Sequence, residues 1–283
     1  MKIVLLGTEN SHAYAFAKLI KENPKFADME VIGAYGPEQP QNDALLNEGL
    51  CPHIADDPHA YLDQADAVMV VARHGDLHYD YALPYIKKGI PAFIDKPFCV
   101  SMEKMDALMA EAAESGSLLC GGSCLKYLDE LKPLKRYIQG KQLMGGYVAA
   151  PVNMVNPHGG FYFYAQHLIE MVIPVFGADI KSVHAYCPDQ EKNRMSIIFH
   201  YENFDVHAQY SDCYTYSATV VTDKGIMHGV CDNVGYCYEY ELEVFANMVR
   251  SGKAPYSQAE LRRPLELLHC IEEAYTTGKE VKC

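Results

Sequence analysis

The residues that could bind an anion stand near the start of the chain, where a short apolar run ends at a glycine. Lys2-Ile-Val-Leu-Leu is typical of a strand buried on both faces, and Gly7 allows a tight turn before the next helix. Free backbone N–H groups and the helix dipole at such a helix N-terminus point toward a phosphate. We therefore predict a phosphate-binding loop over residues 7–12. Its predicted cofactor contacts are Gly7, Thr8, Asn10, Ser11 and His12.

This loop departs from the G-x-G-x-x-G pattern of dinucleotide-binding folds, because Glu9 and His12 occupy the second and third glycine positions. Glu9 brings a carboxylate close to the expected pyrophosphate, a like-charge contact that costs about 1 kcal/mol in water and that a protonated His12 would offset. The second strand runs into Ala34-Tyr35-Gly36-Pro37, where an acidic residue would normally hold the NAD ribose. Tyr35 is the predicted cofactor contact there, and the choice between NAD and NADP stays open.

Alternating histidines and aspartates follow the strongest apolar run of the chain, Ala67–Ala72. Zinc accepts both donors, so His74-Gly-Asp76-Leu-His78-Tyr-Asp80 could be interpreted as a metal site. The segment also follows a parallel strand at the sheet edge where ligands bind, which favours contact with a nucleotide. We predict no metal site, and the predicted cofactor contacts are Ala72, Arg73, His74 and His78.

The elements that must position these residues alternate between strand and helix over the first ~120 residues, which predicts an α/β fold with a Rossmann-type doubly wound parallel sheet. Predicted strands cover 2–6, 29–34, 53–55, 67–72, 91–94 and 117–120, and predicted helices cover 12–22, 79–88 and 101–115, with another opening at Asp56-Asp57-Pro58.

The second half of the chain is rich in strand patterns, which predicts a C-terminal α+β domain with a mainly antiparallel sheet. Predicted strands cover 145–155, 180–186, 195–201, 205–210 and 218–221, and predicted helices cover 240–251 and 258–277. We expect a dinucleotide-binding domain over residues 1–121 and an α+β domain over residues 122–283.

Composition restricts the classes of function. The chain has 283 residues, of which 49% are hydrophobic, and a formal net charge of −13, which disfavours nucleic acid as a partner. We expect no membrane segment and no export signal, and therefore a cytoplasmic protein whose ten cysteines are free thiols.

Residues spread over most of the chain resemble the Gfo/Idh/MocA family, named for glucose–fructose oxidoreductase and inositol dehydrogenase. The most specific match runs from Asp66-Ala-Val-Met-Val-Val through Asp95-Lys96-Pro97 and includes His78 and Gly89-Ile-Pro-Ala-Phe-Ile. Asp95 stands where the family more commonly has glutamate, and Lys96 where its lysine meets the nicotinamide ribose and the substrate hydroxyl. The resemblance implies that Asp95, Lys96 and Pro97 contact the cofactor and that Lys96 is catalytic.

A second match is Gly159-Gly-Phe-Tyr-Phe-Tyr-Ala-Gln-His167, which looks like the family's G-G-G-x-x-x-D-x-G-x-H segment. The histidine of that segment faces the nicotinamide, so the resemblance implies that His167 is the general base. Phe163 replaces the family's aspartate. Tyr164 or Tyr162 could supply a hydroxyl in its place, or could simply pack as aromatic side chains.

The resemblance implies an NAD(P)-dependent oxidoreductase that moves hydride between the nicotinamide and a secondary alcohol or ketone of a sugar-like or cyclitol-like substrate. Lys96 would stabilise the alkoxide and Tyr164 would assist. It also implies a homodimer or homotetramer formed through the C-terminal sheet. The alternative is a non-catalytic ligand-binding or regulatory protein that retains the dehydrogenase fold. Predicted substrate contacts are Lys96, Lys126, His158, Tyr162 and His167.

Overall fold

The first sheet consists of five parallel strands. Their apolar runs leave almost no side chain exposed on either face, as is typical of parallel sheets. The computed structural model describes residues 1–283. The strands are β1 (Lys2–Leu6), β2 (Glu30–Tyr35), β3 (Ala67–Val70), β4 (Ala92–Asp95) and β5 (Leu119–Gly122). Their order is β2-β1-β3-β4-β5, so the chain reverses its direction across the sheet beside β1. Ligands of such sheets bind at the carboxyl end of the strands near this switch point.

The predicted strand at 53–55 is reduced to a single parallel bridge, between Ala34 and Ile54. The Ala34 N–H donates to the His53 carbonyl at 2.9 Å, and the Ala55 N–H donates to the Ala34 carbonyl at 2.7 Å. This bridge lies beside β2 at the edge of the sheet. With it, the order becomes that of the Rossmann fold, and the predicted fold class is confirmed.

Helices connect these strands: α1 (Ser11–Glu22), α2 (Gln39–Asn47), α3 (Asp76–Lys87) and α4 (Met102–Ser115). The helix predicted to open at Asp56 does not form, and residues 58–64 are turns. The Asp57 carboxylate accepts from the backbone of His59 at 2.8 Å, and the backbone bonds that follow mostly span three residues. Such local side-chain bonding competes with the regular helical ladder.

The second half forms a seven-stranded sheet in which every neighbouring pair is antiparallel except β6 and β9. Its order is β11-β10-β6-β9-β8-β7-β12. The prediction of a mainly antiparallel sheet is confirmed, while β11, β12 and α5 had no counterpart among the predicted elements. The elements are α5 (Leu131–Tyr137), β6 (Leu143–Pro151), α6 (Tyr162–Phe176), β7 (Ser182–Tyr186), β8 (Met195–His200), β9 (Asp205–Ser211), β10 (Tyr216–Thr222), β11 (Gly225–Cys231), α7 (Cys237–Ser251), α8 (Gln258–Thr277) and β12 (Val281–Lys282).

The chain divides into two compact units. The first contains Met1–Gly122 and Tyr238–Leu261, and the second contains Ser123–Cys237 and Arg262–Cys283. Most of α7 belongs to the first unit because Leu242, Phe245 and Ala246 are fully buried in the core that β1 and α1 build. The expected division at residue 121 would keep this helix with the second half. None of the helices is both long enough and apolar enough to cross a membrane.

Candidate functional site

The loop after β1 is shaped by Gly7. Its φ of +103° belongs to the region that favours glycine, and a Cβ atom there would meet the backbone nitrogen of Ala72 at 2.2 Å. The Gly7 and Thr8 N–H groups donate to the Tyr35 carbonyl at 2.8 and 3.2 Å. Asn10 caps α1 by accepting from the His12 N–H at 3.2 Å. The ends of β1, β2 and β3 therefore meet around this loop.

Asn42, which the sequence did not single out, holds the loop after β2 against the loop after β1. Its side chain accepts from the Thr8 hydroxyl and donates to the Gly36 carbonyl at 2.9 Å. A Cβ atom on Gly36 would meet the Thr8 hydroxyl at 2.0 Å, so the two loops touch there. The Thr8 hydroxyl therefore bonds Asn42, and the Thr8 N–H bonds the Tyr35 carbonyl.

Glu9, which replaces the second glycine, is only 5% exposed and lies against Arg73. Its Oε1 atom accepts from the Arg73 backbone N–H at 2.9 Å, and the Arg73 guanidinium donates to the Glu9 carbonyl. The same guanidinium pairs with Glu38 at 2.9 Å. Glu9 Oε2 is buried without a hydrogen-bond partner. The positive charge beside Glu9 is thus Arg73, not His12 as the sequence led us to expect.

His12, which replaces the third glycine, lies against Asp95 at the carboxyl end of β4. The His12 Nδ1 and Asp95 Oδ2 atoms are 2.6 Å apart, and the Asn10 side chain donates to the same oxygen at 3.2 Å. The other Asp95 oxygen accepts from the Lys96 backbone N–H at 2.7 Å. His12 Nε2 is 3.0 Å from the hydroxyl of Tyr238, a residue of α7.

These contacts determine the charge of Asp95, which is 1% exposed. Burial alone would raise its pKa, but the charge of His12 and the hydrogen bond to it, helped by Lys96 and His78, lower the pKa below its ordinary value. Asp95 is therefore an ionised carboxylate that fixes the backbone of Lys96. Lys96 itself is 5% exposed, which is unusual for a lysine.

His78 is completely buried, and both of its ring nitrogens lie 2.8 Å from backbone carbonyls, those of Pro97 and Ala72. Burial lowers its pKa, against smaller opposing effects of Asp95 and of these two carbonyls. A neutral ring donates through one nitrogen only, so it can bond one of the two carbonyls while it lies between the segments after β3 and β4. A nucleotide contact through His78 stays a prediction. His74 accepts from the Asp76 N–H at 3.2 Å and so does not converge with His78.

His167 is buried on α6 and bonded to Ser123, a residue that the sequence did not single out. The His167 Nδ1 and Ser123 Oγ atoms are 2.6 Å apart, and the same hydroxyl accepts from the Leu125 N–H at 3.2 Å. The Ser123 N–H donates to Glu170 at 2.8 Å. Ser123 therefore orients the imidazole ring through Nδ1.

Glu170 joins Lys126 to this group. Its Oε2 atom lies 2.6 Å from the Lys126 ammonium, and the side chains are 5% and 14% exposed. Gln166 also donates to Glu170. The residues at positions 166, 167 and 170 thus form one polar stripe on an otherwise apolar helix, and that i, i+3 spacing is the signal by which Glu170 could have been found.

The aromatic residues before His167 separate into two groups. The rings of Tyr164 and His167 are 5.0 Å apart, and burial raises the pKa of Tyr164, which keeps its hydroxyl a proton donor. Tyr162 instead directs its hydroxyl to α8, where it donates to Glu272 at 2.5 Å and lies 3.1 Å from His269. The ring of His158 is 5.9 Å from that of Phe163. The structure therefore brings Tyr164, but not the Tyr162 hydroxyl, to His167.

The strand ends of the first unit fit a dinucleotide that offers hydroxyl groups. The loop after β1 makes its close turn at Gly7, and the buried Glu9 Oε2 atom is an acceptor with no donor of its own. Glu38 supplies a second carboxylate after β2, and its partner Arg73 is already neutralised. Ribose hydroxyls can donate to such acceptors, whereas an additional phosphate would meet negative charge.

Comparison with known proteins agrees with this geometry. Residues 1–122 match the model of an oxidoreductase family with an NAD-binding Rossmann fold. A protein of Amycolatopsis mediterranei (strain S699), provisionally assigned as a UDP-kanosamine synthase oxidoreductase subunit, is 30% identical over 113 residues. That segment covers 40% of this chain and 31% of the relative, so the match spans about a third of that protein's length.

Similar solved structures cover the complete chain. Myo-inositol 2-dehydrogenase from Lactobacillus plantarum superposes with a TM-score of 0.87 at 13% identity, covering 100% of this chain and 99% of that one. Scyllo-inositol dehydrogenase from Lactobacillus casei, solved with NAD(H) and scyllo-inositol, superposes with a TM-score of 0.84 at 14% identity, covering 100% and 98%. At this identity the likeness concerns the fold. The family match thus covers the NAD-binding part of the chain, and the likeness to solved dehydrogenases covers its complete fold.

Proposed function

We propose that the protein is an NAD-dependent dehydrogenase that interconverts a secondary alcohol and a ketone on a cyclitol-like or sugar-like substrate. The observation that carries the proposal is the His167 imidazole, buried on α6 and oriented through Nδ1 by Ser123. A fixed imidazole of this kind is the most frequent general base in enzymes. Residues 1–122, which match a family with an NAD-binding fold, would bind the cofactor that exchanges the hydride.

The cofactor would be held by the loop of residues 7–12 and by the segments that follow β2, β3 and β4. When bound, a nicotinamide accepts or donates the hydride. Ser11 would offer its backbone N–H at the start of α1, and the loop that holds it is shaped by Gly7, Thr8 and Asn10, whose N–H groups are bonded to the Tyr35 and Gly7 carbonyls. Arg73, His74 and Tyr35 would border the nucleotide. Asp95 and Pro97 would shape the segment next to Lys96.

His167 would exchange the proton of the substrate hydroxyl through Nε2. Ser123 fixes the ring, so the ring orientation does not have to change during the reaction, and the Glu170–Lys126 pair adjoins Ser123. Tyr164, next to the ring, remains protonated and would donate a hydrogen bond to a substrate oxygen. The Tyr164 hydroxyl would thus supply the polar group that is missing at Phe163, whose side chain cannot exchange a proton.

Lys96 would stabilise the negative charge that develops on the substrate oxygen. Its backbone is bonded to the Asp95 carboxylate, which His12 and Asn10 hold in place. A cation in a site that excludes water stabilises an alkoxide far more strongly than one in bulk solvent.

We infer that NAD is preferred over NADP. Glu38 and Glu9 both carry carboxylates near the ends of β1 and β2, and Arg73, the cation that could pair with a 2′-phosphate, is bonded to Glu38. A 2′-phosphate would therefore add like-charge repulsion without a free cation to offset it.

The substrate class rests on two lines of support. One is the solved structure of the Lactobacillus casei enzyme, which contains scyllo-inositol. The other is the set of donors and acceptors around α6, since a polyol needs several convergent polar groups. Lys126, His158 and His167 would contact the substrate. The Tyr162 hydroxyl is bonded to Glu272 and would instead hold the start of α6 in place.

The outer face of the second sheet would join copies of the chain into a homodimer or homotetramer. One row of residues in register runs across six strands of this face, and exposed apolar side chains such as Tyr186 and Ile226 flank it. The row consists of His184, Ile198, His207, Tyr147, Thr219 and His228. Light scattering on wild type and on Tyr147→Glu measures the oligomer, and a monomeric wild type would contradict this proposal.

A non-catalytic ligand-binding role is favoured by one observation, the contact of the buried Glu9 with Arg73 in the loop that would hold the pyrophosphate. Calorimetric titration with NADH separates the two candidates at the first step. Dehydrogenase function requires binding, and the His167→Asn variant should bind NADH while failing to oxidise a substrate with NAD. Absence of NADH binding to the wild type would favour the non-catalytic role.

A further inference from the structure

Two of the ten cysteines, Cys270 on α8 and Cys283 after β12, lie next to each other. The Cys270 sulfur lies 3.8 Å from the carbonyl oxygen of Lys282, which belongs to the peptide group that precedes Cys283. The Cys283 sulfur lies 3.8 Å from the Val281 carbonyl oxygen. Cys270 is half-buried and Cys283 is exposed, so a small oxidant in solvent can reach the pair.

The backbone holds both cysteines in place. Cys270 lies within α8, and β12 is bonded to β7 through the pairs Val281–Val183 and Lys282–Ser182. The Cys283 N–H donates to the Lys181 carbonyl at 3.0 Å. Both cysteines therefore stand on anchored backbone, which keeps their side chains near each other.

The interaction between the two thiols is the main reason that the pKa of Cys270 is lowered and that of Cys283 is raised. The positive charge of Arg263 lowers the pKa of both thiols, against burial and Glu273. Arg263 is fixed by bonds to the carbonyls of Ala178, at 3.1 Å, and Ile180, at 2.7 Å. Cys270 is therefore the sulfur that ionises first.

Two buried cysteines, Cys99 and Cys51, have raised pKa values instead. Burial raises the pKa of Cys99 to about 12 and also raises the pKa of Cys51. A buried thiol of this kind is unreactive because the thiolate is the nucleophile. Cys213 is exposed but has no thiol partner among its bonded groups, which makes it a matched control.

We propose that Cys270 and Cys283 form a reversible intramolecular disulfide when the protein meets a hydroperoxide. The Cys270 thiolate attacks one oxygen of hydrogen peroxide, the O–O bond breaks, and the departing hydroxide takes up a proton to become water, which leaves a sulfenic acid on Cys270. The Cys283 sulfur then attacks the Cys270 sulfur, the S–O bond breaks, and the sulfenic oxygen leaves as a second water. In total the two thiols lose two electrons and two protons, and one peroxide is reduced to two waters.

The bond would join β12, the edge strand of the second sheet, to α8 and would close the loop over residues 270–283. It acts outside the residues assigned to hydride transfer and does not depend on that activity. Oxidised protein should resist unfolding of this edge more than reduced protein, because the closed loop restricts the unfolded chain.

The test treats the reduced full-length protein with equimolar hydrogen peroxide and measures its intact mass and its peptides. Cleavage after glutamate should give one new species in which residues 267–272 are joined to residues 281–283, and dithiothreitol should separate them. The Cys213→Ser variant should form the same species. A disulfide between any other pair, or oxidation that leaves Cys270 and Cys283 reduced, would overturn the proposal.

Single variants test the two roles. In Cys283→Ser the first step should still occur, so Cys270 should accumulate a sulfenic acid that dimedone labels. In Cys270→Ser, labelling of Cys283 should be much slower. Circular dichroism checks that both variants are folded, and Cys283→Ala provides a second variant without a hydroxyl. Equal labelling of the two single variants would contradict the assignment of Cys270 as the nucleophile.

Discussion

The Nδ1 atom of His12 lies 2.6 Å from Oδ2 of Asp95, at a loop position where dinucleotide-binding folds carry a glycine. The two residues are 83 positions apart in the chain, yet both are buried and both belong to the carboxyl edge of one sheet. Asp95 in turn bonds the backbone of Lys96. The His12 side chain thus occupies the space that a glycine would leave and uses it to orient the segment that carries the candidate catalytic lysine.

Replacing Asp95 with asparagine should lower the free energy of unfolding by about 2–3 kcal/mol at pH 6, because hydrogen bonds to a charged group contribute about 1.5–3 kcal/mol. The folded-state pKa of Asp95 is lowered, so its stabilising contribution is fully present above the unfolded-state pKa near 3.9 and disappears as pH falls through the folded-state value. Urea denaturation should therefore show a gap between wild type and variant that is constant from pH 5 to 6 and shrinks below pH 4. Asp63→Asn, at an exposed position, should show no such gap.

Replacing His167 with asparagine should lower kcat by about 100-fold to 10,000-fold, the range typical of a general base. Asparagine can still hydrogen-bond Ser123, so the fold and the affinity for NADH should be unchanged. Ser123→Ala should lower kcat less, because it removes only the partner that orients the ring. Steady-state kinetics measures both effects, with His53→Asn, at an exposed position, as the control. A His167→Asn enzyme with full activity would remove His167 from the mechanism.

Replacing Glu38 with glutamine should improve the binding of NADPH relative to NADH by about tenfold. The substitution removes one negative charge and releases Arg73 from its ion pair, and a single charge interaction near the surface contributes about 1–4 kcal/mol. Titration of wild type and variant with both reduced cofactors gives the ratio of their Kd values. Glu22→Gln, at the exposed end of α1, should leave that ratio unchanged. An unchanged ratio in Glu38→Gln would contradict a role for Glu38 in cofactor choice.

The two tyrosines on α6 should respond differently to loss of their hydroxyls. Tyr162→Phe leaves the Glu272 carboxylate without its donor, so the free energy of unfolding should fall by about 1–3 kcal/mol while KM stays constant. Tyr164→Phe should have a smaller effect on stability and should lower kcat, because Tyr164 lies beside His167. Thermal unfolding and steady-state kinetics separate these outcomes. A raised KM in Tyr162→Phe would show that its hydroxyl contacts substrate after all.

Much of the fold could be predicted because buried parallel strands carry continuous apolar runs that do not depend on distant residues. The exceptions have physical causes. The segment at 56–64 has a helix-opening sequence, but Asp57 bonds the local backbone and the helix does not start. Most of α7 belongs to the first unit because Leu242 and Phe245 pack on α1 and β1, a relation that no local pattern contains.

The candidate site was predictable where a motif is local and unpredictable where partners come from far along the chain. Lys96 and His167 lie in segments that resemble a family motif, and His12 and Glu9 are conspicuous because they replace glycines. Their partners are not conspicuous. Tyr238 is 226 residues from His12, Ser123 is 44 residues from His167, and Glu38 is 35 residues from Arg73.

The central claim is that the protein transfers hydride between NAD and a secondary alcohol, and the most direct test is the formation of NADH. Wild type, Lys96→Met and His167→Asn would each be incubated with NAD and a panel of inositols and sugars while NADH absorbance is followed. We predict that the wild type forms NADH with at least one cyclitol or sugar and that both variants form it far more slowly. Failure of the wild type to form NADH with any member of the panel, at concentrations of NAD shown by calorimetry to saturate it, would contradict the claim.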